Sequence, residues 1–195
     1  MKVGVLALQG AFREHENILA ACGVEAEQIR KPQQLDKISS LIIPGGESTT
    51  IGKLLNEFRL FEPIVKMGRE GLPIFGTCAG LIMLAREIEG STQPRLGLMD
   101  IRVERNAFGR QVDSFEAGLD ITAIGGQPFR AVFIRAPYII ETGSDVEVLA
   151  TFREKIVLAR QGRFLAAAFH PELTGDLRIH KYFLEKCVQN DTDKK

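Results

Sequence analysis

The chain has 195 residues, 45% of them hydrophobic, and its 25 Lys and Arg balance 25 Asp and Glu. That length and apolar fraction suit one α/β domain with a substantial core, and the balanced charge excludes nucleic acid as the main partner. The three cysteines, Cys22, Cys78 and Cys187, are odd in number and widely spaced, which argues against a disulfide framework and for a reducing compartment. No C-x-x-C metal spacing occurs. No apolar run reaches membrane-spanning length, and the N-terminus enters a strand-like run at once, without a signal peptide. These features together predict a soluble cytoplasmic protein.

Taken in order, residues 3–8 (Val-Gly-Val-Leu-Ala-Leu) form a near-continuous apolar run, as expected of a central strand buried on both faces. Gln9-Gly10 breaks it. Residues 12–22 place Phe12, His15, Ile18, Leu19 and Cys22 at helical spacing, and Gly23 is a suitable stop. Residues 24–29 alternate weakly and predict a strand near a sheet edge. A short helical connection over 32–35 leads to a strand at 40–43, ended by Pro44-Gly45-Gly46. The next helix opens at residues 47–50, with Ser48 or Thr49 able to cap it and Ile51, Leu54, Leu55 and Phe58 as its apolar face. A further helix fits 61–69, Pro63 being tolerated in the first turn.

A strand over 72–75 then runs into Gly76-Thr77-Cys78-Ala79-Gly80, followed by an apolar helix start at 81–85. A small-residue turn between strand and helix, with one nucleophile at its apex, has the pattern of a nucleophile elbow with Cys in place of Ser. Flanking glycines keep Cβ atoms away from the strained residue, and the partial positive charge of a helix N-terminus favours a thiolate. A lone G-x-C-x-G fits a buried thiol at an ordinary turn equally well.

The alternation of strands and helices up to this point implies a parallel sheet with helices on both faces. From about residue 96 to 169 the pattern changes to short runs separated by Gly and Pro. Strands, some antiparallel, are predicted at 98–104, 111–117, 131–134, 146–152, 155–160 and 164–169. A final helix over 176–188 buries Leu177, His180, Tyr182, Phe183, Leu184 and Cys187, and a polar tail occupies 189–195. One domain, residues 1–188, is therefore expected.

Three further stretches carry chemistry. His170-Pro171-Glu172 follows an apolar run ending at a sheet edge. A Cys nucleophile needs a base to take and return its proton, and a third group to orient that base. His170 suits the first task, and Glu172 is close enough in sequence to reach the other ring nitrogen. The alternatives, His15 and His180, lie on predicted helices without a carboxylate fixed beside them in a turn, and are assigned structural roles. In Pro44-Gly45-Gly46-Glu47-Ser48 the glycines leave backbone N–H groups free to face an anion, such as a tetrahedral oxyanion. The loop lacks the G-K-[ST] ending of a nucleotide-binding P-loop. Residues 103–111 and Phe133-Ile134-Arg135-Ala136-Pro137 bring Arg105 and Arg135 to polar loops, and guanidinium groups favour carboxylate ligands. Cys78, His170 and Gly45-Gly46 all fall at strand carboxyl ends, where open α/β sheets place their sites.

Together these motifs resemble class I (triad) glutamine amidotransferases. A-L-Q-G at 7–10, P-G-G-E-S-T-T at 44–50, F-G-T-C-A-G at 75–80, L-G-L-M-D at 96–100, E-R-N-A-F-G-R-Q-V-D-S-F-E at 104–116, F-I-R-A-P at 133–137 and F-H-P-E-L-T at 169–174 are similar, more narrowly, to the family of glutaminase subunits of two-subunit pyridoxal 5′-phosphate synthases. The resemblance runs from residue 2 to the final helix. It implies a flavodoxin-like, three-layer, open and mostly parallel sheet with helices on both faces. It implies Cys78 as nucleophile, His170 as base and acid, and Glu172 as its orienter. Gly46, Glu47, Ser48, Arg105, Ile134 and Arg135 would contact L-glutamine, and the Gly45-Gly46 region would form the oxyanion hole. The reaction implied is hydrolysis of glutamine to glutamate and ammonia through a glutamyl thioester, with no cofactor and no metal. The ammonia would pass to a (β/α)8-barrel synthase subunit in a large hetero-oligomer. A glutaminase serving another synthase, or a cysteine hydrolase of similar architecture, would share the elbow but not the whole motif set. The surface expected to meet the synthase is residues 7–10 with Arg13-Glu14-His15.

Overall fold

The computed structural model describes residues 1–105 and 114–189. In chain order it comprises β1 (Lys2–Leu6), α1 (Phe12–Ala21), β2 (Glu25–Ile29), β3 (Ser40–Ile43), α2 (Ser48–Glu57), α3 (Phe61–Arg69), β4 (Ile74–Thr77), α4 (Ala79–Leu84), β5 (Ala85–Ile88), β6 (Met99–Glu104), β7 (Ser114–Leu119), β8 (Phe129–Ile134), β9 (Tyr138–Thr142), β10 (Glu147–Phe152), β11 (Lys155–Gln161), β12 (Phe164–Ala167) and α5 (Arg178–Tyr182). Short 3-10 turns occupy Pro32–Lys37, Thr122–Ile124 and Pro171–Leu173.

One ten-stranded sheet runs β2-β1-β3-β4-β12-β11-β9-β6-β5, with β10 paired to β11, and β7 and β8 form a separate antiparallel pair. From β2 to β12 every pairing is parallel. From β12 through β11 and β9 to β6 the pairings are antiparallel, and β5 joins β6 in parallel. This is the mixed, mostly parallel α/β architecture the alternation predicts. β3 and β4 are buried along their whole length, which requires layers on both faces of the sheet. β6 and β8 instead alternate between buried and accessible positions, the mark of a sheet with one solvated face. β2 lies at the sheet edge, as its weak alternation suggests. The core is anchored by fully buried Phe75, Phe129, Phe133, Phe169 and Phe183.

Four local expectations change. The helix after the elbow stops at Leu84, and Ala85 turns to an extended conformation to begin β5, whose backbone pairs with Met99. An apolar run such as 81–85 does not distinguish buried helix from buried strand, and the waiting edge of β6 decides it. β9 has a strand-like sequence, Tyr-Ile-Ile-Glu-Thr, yet was not expected after Pro137. The last helix is α-helical only over Arg178–Tyr182 and continues as π-helix over Phe183–Gln189, so Gln189 belongs to it rather than to a tail. Phe58 is the C-cap of α2 and 44% exposed, not part of its apolar face. The strand expected at 111–117 begins, within the described residues, at Ser114. Residues 106–113 of the long motif and 190–195 of the polar tail lie outside the described residues.

No helix among the described residues is long and apolar enough to cross a membrane.

Candidate active site

Cys78 joins β4 to α4 with φ 48° and ψ −101°. Such a backbone is strained for any residue with a Cβ, and the close packing around it over-determines it. A Cβ on Gly80 would run into the carbonyl of Ile43, and one on Gly76 into the backbone of Gly80. The two glycines of the elbow therefore let α4 sit directly on the sheet. The Sγ of Cys78 is 3.7 Å from the carbonyl oxygen of Ile134.

His170 follows β12, the neighbour of β4 in the sheet. Parallel register between β4 and β12 puts Thr77 opposite Ala167, so the two chain exits that carry Cys78 and His170 leave the same sheet edge. His170 Nδ1 lies 2.7 Å from Glu172 Oε1, and Glu172 is buried in the following 3-10 turn. Burial works against a charge on His170, but its hydrogen bonds to Cys78 and Glu172, and their charges, outweigh it and push the pKa up to about 10. The ring thus lies between the Glu172 carboxylate and the Cys78 sulfur, and both favour a proton on it.

These side chains face a cleft of about 520 Å³ whose lining includes Cys78, His170, Gly45, Gly46, Glu47 and Ser48. Arg105, which follows β6, and Ile134 and Arg135, at the end of β8 in the separate two-stranded pair, line it as well. Arg135 has φ 43°, a second strained residue at the same opening. All the residues expected at the site line this cleft except Glu172, which stands behind His170.

The glycine loop is fixed on both sides. Gly45 N–H donates to Thr77 Oγ1 at 3.0 Å, and its carbonyl accepts from Ala11 N–H at 3.1 Å. A Cβ on Gly45 would strike the His170 ring, so only glycine lets the base pack here. The N–H of Gly45 is therefore turned to Thr77, not to the cleft. α2 is capped by Glu47 rather than by Ser48 or Thr49. Its carboxylate accepts from the N–H groups of Thr49 and Thr50 and from Thr50 Oγ1. Burial would raise its pKa, but the Thr50 and Thr49 hydrogen bonds prevail and hold it down at about 2. Ser48 is buried at the first helical position.

Three residues were missed in the sequence. Gln9 lines the cleft and accepts from Glu47 N–H at 2.8 Å. Gln93 is nearly buried, and its amide oxygen gathers Arg105 at 2.5 Å, Thr49 at 3.4 Å and Ser48 at 3.5 Å. Thr77 stands beside the nucleophile with no side-chain exposure to solvent. Only Gln9 and Thr77 had a signal, as members of the A-L-Q-G and F-G-T-C-A-G motifs. Gln93 sits in a stretch without helix, strand or motif.

His15 is not a surface residue. It is completely buried and Ala7 is only 5% exposed, so neither can belong to the docking surface expected there; Arg13 and Glu14 are exposed, and Gln9, Gly10 and Ala11 rim the cleft. The reason given for setting His15 aside also changes, because its Nε2 lies 3.5 Å from Glu172 Oε2.

Among the described residues no group of three or more His, Cys, Asp or Glu could hold a metal ion. The thiols of Cys22 and Cys187 are far less suited to reaction than Cys78 by position, and burial pushes both up, that of Cys187 to about 12.

A cysteine elbow, a His-x-Glu base and a mixed α/β sheet define the class I glutamine amidotransferase fold. A solved structure titled PurLQS from Thermotoga maritima shares the fold over 94% of this chain and 97% of that one, with a TM-score of 0.70 at 17% identity. The chain belongs to the SNO glutamine amidotransferase family, whose sequence profile matches residues 5–189. It is 79% identical over 189 residues to the pyridoxal 5′-phosphate synthase subunit PdxT of Pelotomaculum thermopropionicum, covering 97% of this chain and 96% of that protein. A crystal structure of a glutamine amidotransferase, 55% identical, superposes with a TM-score of 0.90 over 95% of this chain and 98% of the other.

Proposed function

We propose that this chain hydrolyses the side-chain amide of L-glutamine and supplies the ammonia to a separate synthase subunit that makes pyridoxal 5′-phosphate. The observation that carries the reading is the line Glu172–His170–Cys78 at the wall of a cleft that also presents Arg105 and Arg135.

In this reading the Cys78 thiolate attacks the amide carbon, and the C=O electrons move onto oxygen. The backbone N–H of Ala79, the residue after the nucleophile, and that of Gly46 would receive this oxyanion. Gly45 contributes by holding the loop against Thr77. Collapse of the intermediate breaks the C–N bond, and His170 gives its proton to the departing nitrogen, which leaves as ammonia. Neutral His170 then takes a proton from water, the hydroxide attacks the thioester, and glutamate departs as Cys78 regains its electron pair. Glu172 keeps the imidazole oriented through both steps. Arg105 and Arg135 suit the α-carboxylate of glutamine, while Glu47, with its carboxylate spent on capping α2, offers its backbone together with Ser48 and Ile134.

The chain acts as one amidotransferase domain over residues 1–188, needs no cofactor, and works in the reducing cytoplasm, where three free thiols persist. Its synthase partner is a (β/α)8 barrel in a large hetero-oligomer. The exposed Gly46 and Glu47, with Gln9 to Ala11, form the rim that a partner can reach. Glutamate release from glutamine, measured with and without the synthase subunit, tests the reading. Turnover is expected to rise on addition of the synthase and to vanish in Cys78→Ala. Absence of glutamine hydrolysis under both conditions would overturn it.

A further inference from the structure

Behind the triad lies a buried polar network that the reaction as written does not use. His15, on α1, His180, on α5, and Thr77, at the end of β4, have no solvent exposure at all. His15 Nδ1 is 2.9 Å from His180 Nε2, and His15 Nε2 is 3.2 Å from Thr77 Oγ1. The same Nε2 is 3.5 Å from Glu172 Oε2, a buried carboxylate oxygen with no hydrogen-bond partner among the described residues. Phe75 closes the space with its ring against both imidazoles.

The protonation of this pair follows from the surroundings. Burial, reinforced by the neighbouring His180 and His170, holds His15 well below its ordinary pKa, and burial brings His180 to about 3. Both rings are neutral, so each has one N–H and one lone pair, and one proton lies between them. If His15 donated to His180, the His180 proton would sit on Nδ1, which has no partner among the described residues. A lone pair on His15 Nε2 would then face the Glu172 carboxylate. Both features are costly in a buried site. The opposite arrangement leaves a lone pair of His180 unused and asks the Thr77 hydroxyl to accept from both Gly45 and His15, but it places no donor without a partner on His180 and turns the His15 Nε2–H toward Thr77 and the Glu172 carboxylate.

From this arrangement we propose that His15, set in its Nε2–H tautomer by His180, is a positioning residue that holds the outer oxygen of Glu172 and, through Thr77, the Gly45 loop. One imidazole thereby ties the orienter of the base to the loop beside the oxyanion, two parts that come from distant stretches of chain. The inference rests on the triad reading above, and its test separates the two.

Steady-state glutamine hydrolysis by the full chain, with the synthase subunit present, is compared for wild type, His15→Leu, His15→Gln, His15→Asn, His180→Leu and Glu172→Gln, each checked by thermal melting. The Gln amide nitrogen falls near the position of Nε2 and that of Asn near Nδ1. His15→Leu is expected to lower kcat about tenfold or more with little change in KM, as supporting partners of a reactive group do. His15→Gln should recover most of that loss and His15→Asn should not. His180→Leu, which touches neither triad nor cleft, should lower kcat in the same sense by freeing the tautomer. The double variant His15→Leu/Glu172→Gln should lose less than the product of the two single losses, since part of each acts through the His15–Glu172 contact they share, and losses that simply multiply would overturn that contact. Wild-type kcat and KM in folded His15→Leu, or equal turnover of the Gln and Asn variants, would overturn the inference and leave the triad standing. Wild-type turnover in Glu172→Gln would instead remove the triad reading itself. Should His15→Leu not fold, the Gln and Asn pair carries the same decision.

Discussion

The backbone N–H of Gly45 donates to the hydroxyl of Thr77, the residue immediately before the nucleophile. The loop beside the site is thus anchored to the strand that delivers Cys78, and the two cannot move independently at low cost. Thr77→Val keeps the shape but leaves the Gly45 N–H without an acceptor and the His15 Nε2 facing Glu172 alone. A buried group left in that state costs about 1–3 kcal/mol, and each kcal/mol lowers Tm by about 2–4 °C in a chain of this size. A thermal melt should therefore place Thr77→Val several degrees below wild type and Thr77→Ser close to it, with turnover following the same order. Equal melting of the two variants would show that the hydroxyl anchors nothing.

Cys78 holds a backbone conformation, φ 48°, that only glycine adopts without strain. Cys78→Gly and Cys78→Ala both lose the thiol and all glutaminase activity, but only glycine relieves the backbone. Strain of this kind is worth on the order of 1 kcal/mol or more. Cys78→Gly should accordingly melt above Cys78→Ala, and a reversed order would mean that the elbow is not strained.

The histidines give opposite contributions to stability as pH changes. His170 has a folded pKa raised to about 10, above its ordinary 6.5. Its contribution is fully present below about pH 6.5 and is lost as pH rises toward 10. His15 and His180 are held down, so the unfolded chain takes up protons that the folded chain refuses. Below about pH 6.5 each of them costs stability at up to about 1.4 kcal/mol per pH unit. For His180 this loss continues down to its folded pKa of about 3. Urea midpoints measured across this range should converge between wild type and His170→Gln as pH rises from 6.5 to 10. They should fall less steeply on acidification in His180→Leu than in wild type. Parallel curves would contradict the assignment of charge in either case.

Gln93 tests the substrate pocket from behind. Its amide oxygen receives Arg105 at 2.5 Å and lies near the hydroxyls of Ser48 and Thr49. Gln93→Leu removes a hydrogen bond to a charged group, worth about 1.5–3 kcal/mol, or a factor of about ten or more. Because the loss acts on ground state and transition state alike, it should appear in the KM for glutamine with kcat nearly unchanged. A fall in kcat at constant KM would place Arg105 on the reacting amide instead of on the substrate's carboxylate.

The thiols should differ in reactivity by position alone. Cys187 is buried with its pKa pushed to about 12, and Cys22 is shifted upward by burial as well. Iodoacetamide applied to the native protein should label Cys78 first and leave Cys187 unlabelled, as mass spectrometry of the peptides would read. Cys22→Ala and Cys187→Ala should keep wild-type turnover.

The sequence by itself determined the parallel half of the sheet, the elbow at Cys78, the His170–Glu172 pair and the glycine loop. In each, the signal is local: a buried strand is a continuous apolar run, and a tight turn needs small residues next to one another. Local signals also explain the errors. The run 81–85 reads as helix until the edge of β6 is there to pair with Ala85, and Ser48 reads as the cap of α2 although the Glu47 carboxylate has the better reach. Residues 106–113 were legible as a motif alone.

Only the tertiary structure decided what His15, Thr77, Gln93 and His180 do. His15 and Glu172 are separated by most of the chain and meet because α1 packs against the turn that follows β12. Gln93 reaches Arg105 from a segment with no periodicity. Burial turns two ordinary-looking helix histidines into a neutral, hydrogen-bonded pair. Hydrogen bonds and desolvation of this kind depend on distances between remote segments, and no spacing along the chain encodes them.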